Sequence, residues 1–267
     1  MASTAHDATA QSTTAAARSG LYRLLADAFA YPDAPLAEAV SSGAFAAELG
    51  SLASALPALE VAEDADAQAR CADALRSLKR MEGDCGPERL AAQYAETFGH
   101  ALSRDCPPYE TEYAGADIFQ QAQELADIGG FYRAFGLVVA DTAHERLDHV
   151  SVELEFLHVL AAREAYALRE GREEQRRICR DTQAQFLDEH LGRWAPYFAL
   201  LVQRQSPGTF YHAVADVLAW FLLFETAHLG VCPERVSSVR QDDETPTASP
   251  DADAMPEDAL WVGDMTR

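Results

Sequence analysis

The run Asp148-His149-Val150-Ser151-Val152-Glu153-Leu154-Glu155-Phe156-Leu157-His158 decides the fold class. Val150, Leu154, Leu157 and Ala161 recur at the three- and four-residue spacing of one helical face, which no strand reproduces. Asp148, just ahead of them, offers a carboxylate to the free N–H groups of the first turn. His149 and Glu153 lie four apart and share a face, and Glu155 and His158 lie three apart on another. Such pairs are commonly solvated partners on a helix surface.

The same period extends outward in both directions. Upstream it predicts helices over Ser12–Ala30, where Leu21, Leu24, Leu25 and Phe29 face one way with Tyr22 alongside, then Pro35–Ser41, Phe45–Leu56, Ala62–Met81, Glu88–Phe98 and Asp117–Phe135. The central run becomes a helix over Asp148–Glu170, followed by Glu173–His190, Trp194–Gln203 and Pro207–Leu229. Tyr31-Pro32-Asp33 and Gly83-Asp84-Cys85-Gly86-Pro87 break the pattern as turns. No segment alternates like a strand. The fold class is all-α: a compact helical bundle over residues 12–236, a flexible N-terminus over 1–11 and an acidic, disordered tail over 237–267. The tail holds eight acids against two arginines, with Leu260-Trp261-Val262 its one apolar patch.

Composition excludes several classes of function. A net charge of −22 leaves no concentrated basic face for nucleic acid and favours a cationic partner. Five scattered cysteines form no C-x-x-C pair for zinc or redox chemistry and read as reduced thiols. The apolar run 214–224 falls short of the ~20 residues of a membrane span, and residues 1–18 lack the pattern of an export signal, so a cytoplasmic location is expected. There is no phosphate loop and no nucleophile elbow around Ser151. No catalytic residue, metal or cofactor is assigned.

The chemistry concentrates in the middle of the chain. In Cys106-Pro107-Pro108-Tyr109-Glu110 the paired prolines fix two φ angles and remove two donors, displaying Tyr109 and Glu110 from a stiff loop. Alternatively, Pro-Pro ends a helix while Tyr109 and Tyr113 fill the core. Gly130-Phe131-Tyr132-Arg133-Ala134-Phe135-Gly136-Leu137 adds rings. Aromatic area beside carboxylates suits a peptide that is apolar and carries guanidinium groups.

These residues also carry a family resemblance. Glu124, Phe131-Tyr132, Ala134-Phe135-Gly136-Leu137, Leu147-Asp148-His149 and Glu153-Leu154-Glu155-Phe156 follow, in order, the central signature of the maturation chaperones of molybdenum oxidoreductases. That group is named for the trimethylamine-N-oxide and dimethyl-sulfoxide reductase chaperones. His190-Leu191-Gly192-Arg193-Trp194-Ala195-Pro196-Tyr197-Phe198 resembles a later family segment. Leu147 stands where the family has proline. The Cys-Pro-Pro-Tyr-Glu loop is similar to that of the type II branch. The resemblance covers about Leu21 to Gly230 and implies a cytoplasmic chaperone, not an enzyme. It would bind the twin-arginine leader of a molybdopterin-containing catalytic subunit and hold that subunit back while its cofactor is inserted. It implies a signal-binding surface including Pro108, Tyr109, Asp148 and His149. The chemistry adds Glu110 and Glu153 as carboxylates for guanidinium, and Tyr132, Phe135 and Phe156 as rings for the apolar segment. The chain is expected as a monomer or a helix-swapped dimer.

A different class of function competes. Glu155-x-x-His158 and Glu225-x-x-His228 are the motif by which ferritin-like bundles hold two irons, with Glu124 and Glu189 available as the remaining carboxylates. His228, just before Gly230, equally suits a helix C-terminus.

Overall fold

Alanine-rich sequence with few helix breakers makes helix α1 the longest element, Ala2–Phe29. It starts well before the expected Ser12, and residues 2–11, anticipated as a flexible leader, continue the same helix. A computed structural model describes residues 2–58, 64–99, 105–113, 118–139 and 145–239. Within them α1 is followed by α2 (Ala34–Ser41), α3 (Ala44–Ser54), α4 (Asp64–Arg80), α5 (Pro87–Phe98) and α6 (Ile118–Ala134). Then come α7 (Val150–Arg169), α8 (Glu173–Phe186), α9 (Gly192–Gln205) and α10 (Phe210–Leu229). No strand occurs among the described residues; Tyr109 and His149 form an isolated antiparallel bridge. Most of the acidic tail, residues 240–267 with Leu260-Trp261-Val262, lies outside the described residues.

The most extensive packing is between α1 and α7, and α8 also packs against α7. α10 packs against α9 and α4. Its Val214, Leu218 and Phe221 are fully enclosed, and most of the helix is apolar, as suits a central bundle helix. At 20 residues and a mean hydropathy of 1.2 it is long and apolar enough to cross a membrane, unlike the shorter run considered in the sequence, but 72% of that window is buried inside the bundle.

One buried ion network ties the bundle together. Arg18 of α1 donates Nε and Nη2 to the two oxygens of Glu225 on α10, each at 2.6 Å. Nη1 reaches Glu164 of α7 at 2.9 Å and Nη2 reaches Gln183 of α8 at 2.7 Å. Tyr22 donates its hydroxyl to Glu225 at 2.7 Å. Burial works against the Arg18 charge, but Glu225, Tyr22 and Glu164 together outweigh it and hold the guanidinium protonated. The network satisfies the charges that burial would otherwise penalise.

Between α8 and α9 the chain widens into a π turn, Leu187–Leu191. Gly192 closes it, because a Cβ there would lie 2.3 Å from the Leu187 carbonyl oxygen. The turn points His190 inward, towards the loops that form the site.

Candidate functional site

Two loops meet at the Tyr109–His149 bridge. Val150 N–H donates to the Pro108 carbonyl at 2.8 Å and Glu110 N–H to the Asp148 carbonyl at 2.9 Å. Of the two readings of Pro107-Pro108, the structure combines parts: Tyr113 fills the core, donating its hydroxyl to Pro107 at 2.8 Å, while Tyr109 stays half-buried. Arg146 lies over the Tyr109 ring at 4.4 Å from its centre.

Asp148 does not cap α7. Its carboxylate accepts from Arg146 Nε at 3.0 Å and Nη2 at 2.7 Å, and from the hydroxyl and N–H of Thr111 at 2.8 and 3.2 Å. His149 is the cap instead, its Nδ1 accepting from Ser151 N–H at 3.2 Å, with the Ser151 hydroxyl 2.7 Å away. Burial, with the Arg146 charge adding to it, lowers the His149 pKa to about 3, so the ring is neutral at pH 7. Arg146 escaped the sequence reading; its place two residues before Asp148 was the available signal.

The other expected carboxylates are also inside. Glu153 is fully buried and accepts from Trp194 Nε1 at 3.2 Å. Burial, reinforced by the charge of Glu110, raises its pKa well above the carboxylate range and keeps it neutral. Glu110 is 5% exposed and lies 3.1 and 3.2 Å from His190 Nδ1. Glu110, Asp148 and Glu153, expected to meet an incoming guanidinium, are each enclosed beside partners of this chain. Pro108, Asp148 and His149 are likewise buried and shape the loops from beneath.

What faces solvent is a pair of clefts along α6. One, of about 370 Å³, is apolar and lined by Leu137, Val138, Val152 and Val159, with the buried rings of Tyr132 and Phe156 as its floor and Glu155 at its rim. Val138 is 87% exposed. Phe135, 6.0 Å from the Phe156 ring, supports the wall. The other cleft, of about 600 Å³, is lined by Gln123, Glu124, Ala126 and Asp127. Burial, then the Glu110 charge, raises the Glu124 pKa. A ladder of rings joins the two: Phe156 to Phe186 at 4.8 Å and Phe186 to His190 at 5.0 Å. Burial draws the His190 pKa down, but Glu110, Asp127 and Glu189 outweigh it and leave it raised.

The structure thus brings Tyr132, Phe135 and Phe156 to one cleft, with Glu110 behind the other. The valines, Asp127 and His190 were missed as site residues. His190 stood in a recognised segment, but nothing local to it indicates its neighbours.

The Glu-x-x-His motifs do not converge. Glu155 is exposed at the apolar cleft, Glu225 is taken by Arg18, His158 Nδ1 lies 2.9 Å from Ser19 Oγ, and His228 Nε2 lies 3.1 Å from Arg180. Burial, then nearby Arg18, lowers the His228 pKa to about 4.

Comparison with known proteins agrees with this architecture. A perchlorate reductase assembly chaperone protein from Dechloromonas aromatica is 29% identical over 215 residues, covering 80% of this chain and 88% of that one. A chaperone protein TorD from Photobacterium profundum is 27% identical over 157 residues, 59% of this chain and 70% of its own. A selenate reductase assembly chaperone protein from Thauera selenatis is 40% identical over 76 residues, 28% of this chain and 37% of its own. These relatives are named as chaperones, not catalysts. A sequence model described as nitrate reductase delta subunit matches residues 62–200, which carry both loops and both clefts, and the chain therefore belongs to that family of redox enzyme maturation proteins.

Proposed function

We propose that this protein is a cytoplasmic assembly chaperone that holds the twin-arginine leader and unfilled catalytic subunit of a molybdopterin-dependent reductase before export. The observation that carries the proposal is the pair of clefts on α6, one apolar and one acidic, which match in kind the apolar segment and the guanidinium groups of such a leader. Asp127 and Tyr132 are separated by about 8 Å of helix rise and roughly 140° about the axis of α6, so a leader that reaches both must wrap around that helix. In this reading Val138, Val152 and Val159 take the apolar segment above the buried rings of Tyr132 and Phe156, while Glu124 meets arginine. Pro108, Tyr109, Glu110, Phe135, Asp148, His149 and Glu153 hold the walls in place. The names of the perchlorate and selenate reductase chaperones favour an oxyanion reductase as client.

Micromolar capture requires only ~8 kcal/mol, within reach of one apolar cleft and a few charged contacts. Titration of the full chain with a synthetic leader peptide, in chelator-containing buffer, tests the reading. Val138→Asp is expected to weaken binding more than tenfold, because it puts a charge where the apolar segment sits. Glu124→Gln is expected to weaken it severalfold, reflecting a partly solvated ion pair. Unchanged affinity in both variants would remove the clefts from the site.

A further inference from the structure

We propose that His190, Asp127 and Glu189 form a binding site for a divalent transition-metal ion, with zinc the best-matched occupant. One imidazole nitrogen and two carboxylate oxygens, from α6 and the π turn, lie within 4.8 Å of one another. His190 is 3% exposed, and its Nε2 makes no hydrogen bond although it is aimed into this cluster. The nearest acceptor, Asp127 Oδ2, lies 3.4 Å away. That is too long for a charged hydrogen bond, which closes to about 2.7–2.9 Å. It matches the edge of a tetrahedron around zinc, where ligands at about 2.1 Å from the metal stand roughly 3.4 Å apart.

The opposite side of the ring strengthens the assignment. Nδ1 faces the buried Glu110 carboxylate at 3.1 and 3.2 Å, the arrangement that fixes tautomer and orientation in carboxylate–histidine–metal sites. With Nδ1–H donated to Glu110, a metal ion entering from the cleft takes the place of the second ring proton on Nε2. The π turn brings the adjacent Glu189 and His190 to the same side, because its wider closure reduces the angle between neighbouring side chains. Asp127 and Glu189 are exposed, so an ion can enter from the acidic cleft and water can take the fourth position. An imidazole with two carboxylates suits zinc better than magnesium or calcium, which prefer all-oxygen shells.

The inference does not rest on leader binding, and its test uses the metal alone. The full chain, stripped of metal, is titrated calorimetrically with zinc chloride. One zinc per chain is expected, undisturbed by excess magnesium, and Co(II) in its place should give the visible absorption of a four-coordinate centre. Asp127→Asn and Glu189→Gln, both at exposed positions and checked for unchanged helicity, should each weaken zinc about tenfold or more. Glu110→Gln should weaken it about 10–100-fold without removing a ligand. Displacement by magnesium, several weak ions per chain, or affinity unchanged in the Asp127 and Glu189 variants would overturn the site and leave only diffuse attraction to an acidic surface.

Discussion

Arg18 and His190 are both buried among carboxylates, yet the two regions around them end differently. Arg18 is fully buried, with its guanidinium bonded to Glu225, Glu164 and Gln183. His190 has one nitrogen facing a buried carboxylate while the other points towards exposed acids beside an open cleft. A closed network has no capacity left to bind anything and can only specify how helices meet. An open one keeps an unused valence, and that is the physical difference between a fastening and a site.

The largest expected effect breaks the closed region. Arg18→Met leaves Glu225 buried without its partner and should cost about 3–5 kcal/mol in urea unfolding. Adding Glu225→Met should recover most of that loss, since an apolar pair of similar volume replaces the charges. If the single variant unfolds like the parent, the network is not what joins α1 to α10.

Asp148→Ala comes next. It strips Arg146 and Thr111 of a shared acceptor, and charged hydrogen bonds of this kind contribute about 1.5–3 kcal/mol. The variant should therefore lose stability while an exposed-cleft variant such as Val138→Asp does not. Equal stability of Asp148→Ala and the parent would place Asp148 on the binding side of the comparison instead.

His149 gives a smaller effect with a definite sign. Its folded pKa is depressed to about 3, so its contribution is complete above the unfolded value near 6.5 and is lost as pH falls towards 3. At pH 5.5 the loss should be about 1.4 kcal/mol. His149→Asn keeps a capping side chain and should flatten this part of the stability profile. A profile between pH 5 and 7 identical to the parent's would show that the ring is not held neutral.

Most helices were legible because amphipathic periodicity survives in each: α5, α8 and α9 fall within a few residues of their expected spans. The start of α1 was not, because residues 2–11 are helical through alanine content rather than through an apolar stripe. The cap of α7 was misread by one residue, since Asp148 and His149 are both acceptable caps locally and only the distant Thr111 and nearby Arg146 draw the aspartate away. That Tyr132 and Phe156 belong to one aromatic cluster could be read from sequence, and the structure places both against the apolar cleft. Their exposure could not, nor could the fact that Glu153 and Glu110 would face inward. The meeting of Asp127 with His190 depends on a π turn and on how α6 packs against it, and neither leaves a local pattern.

The most direct test of the open region as a site is covalent mapping. A leader peptide carrying a photoreactive benzoyl-phenylalanine in its apolar segment would be irradiated with the full chain and the adducts located by mass spectrometry. The account predicts adducts in residues 137–139 and 152–159, lost in Val138→Asp. Adducts confined to α1, α4 or α10, or an unchanged pattern in that variant, would contradict it.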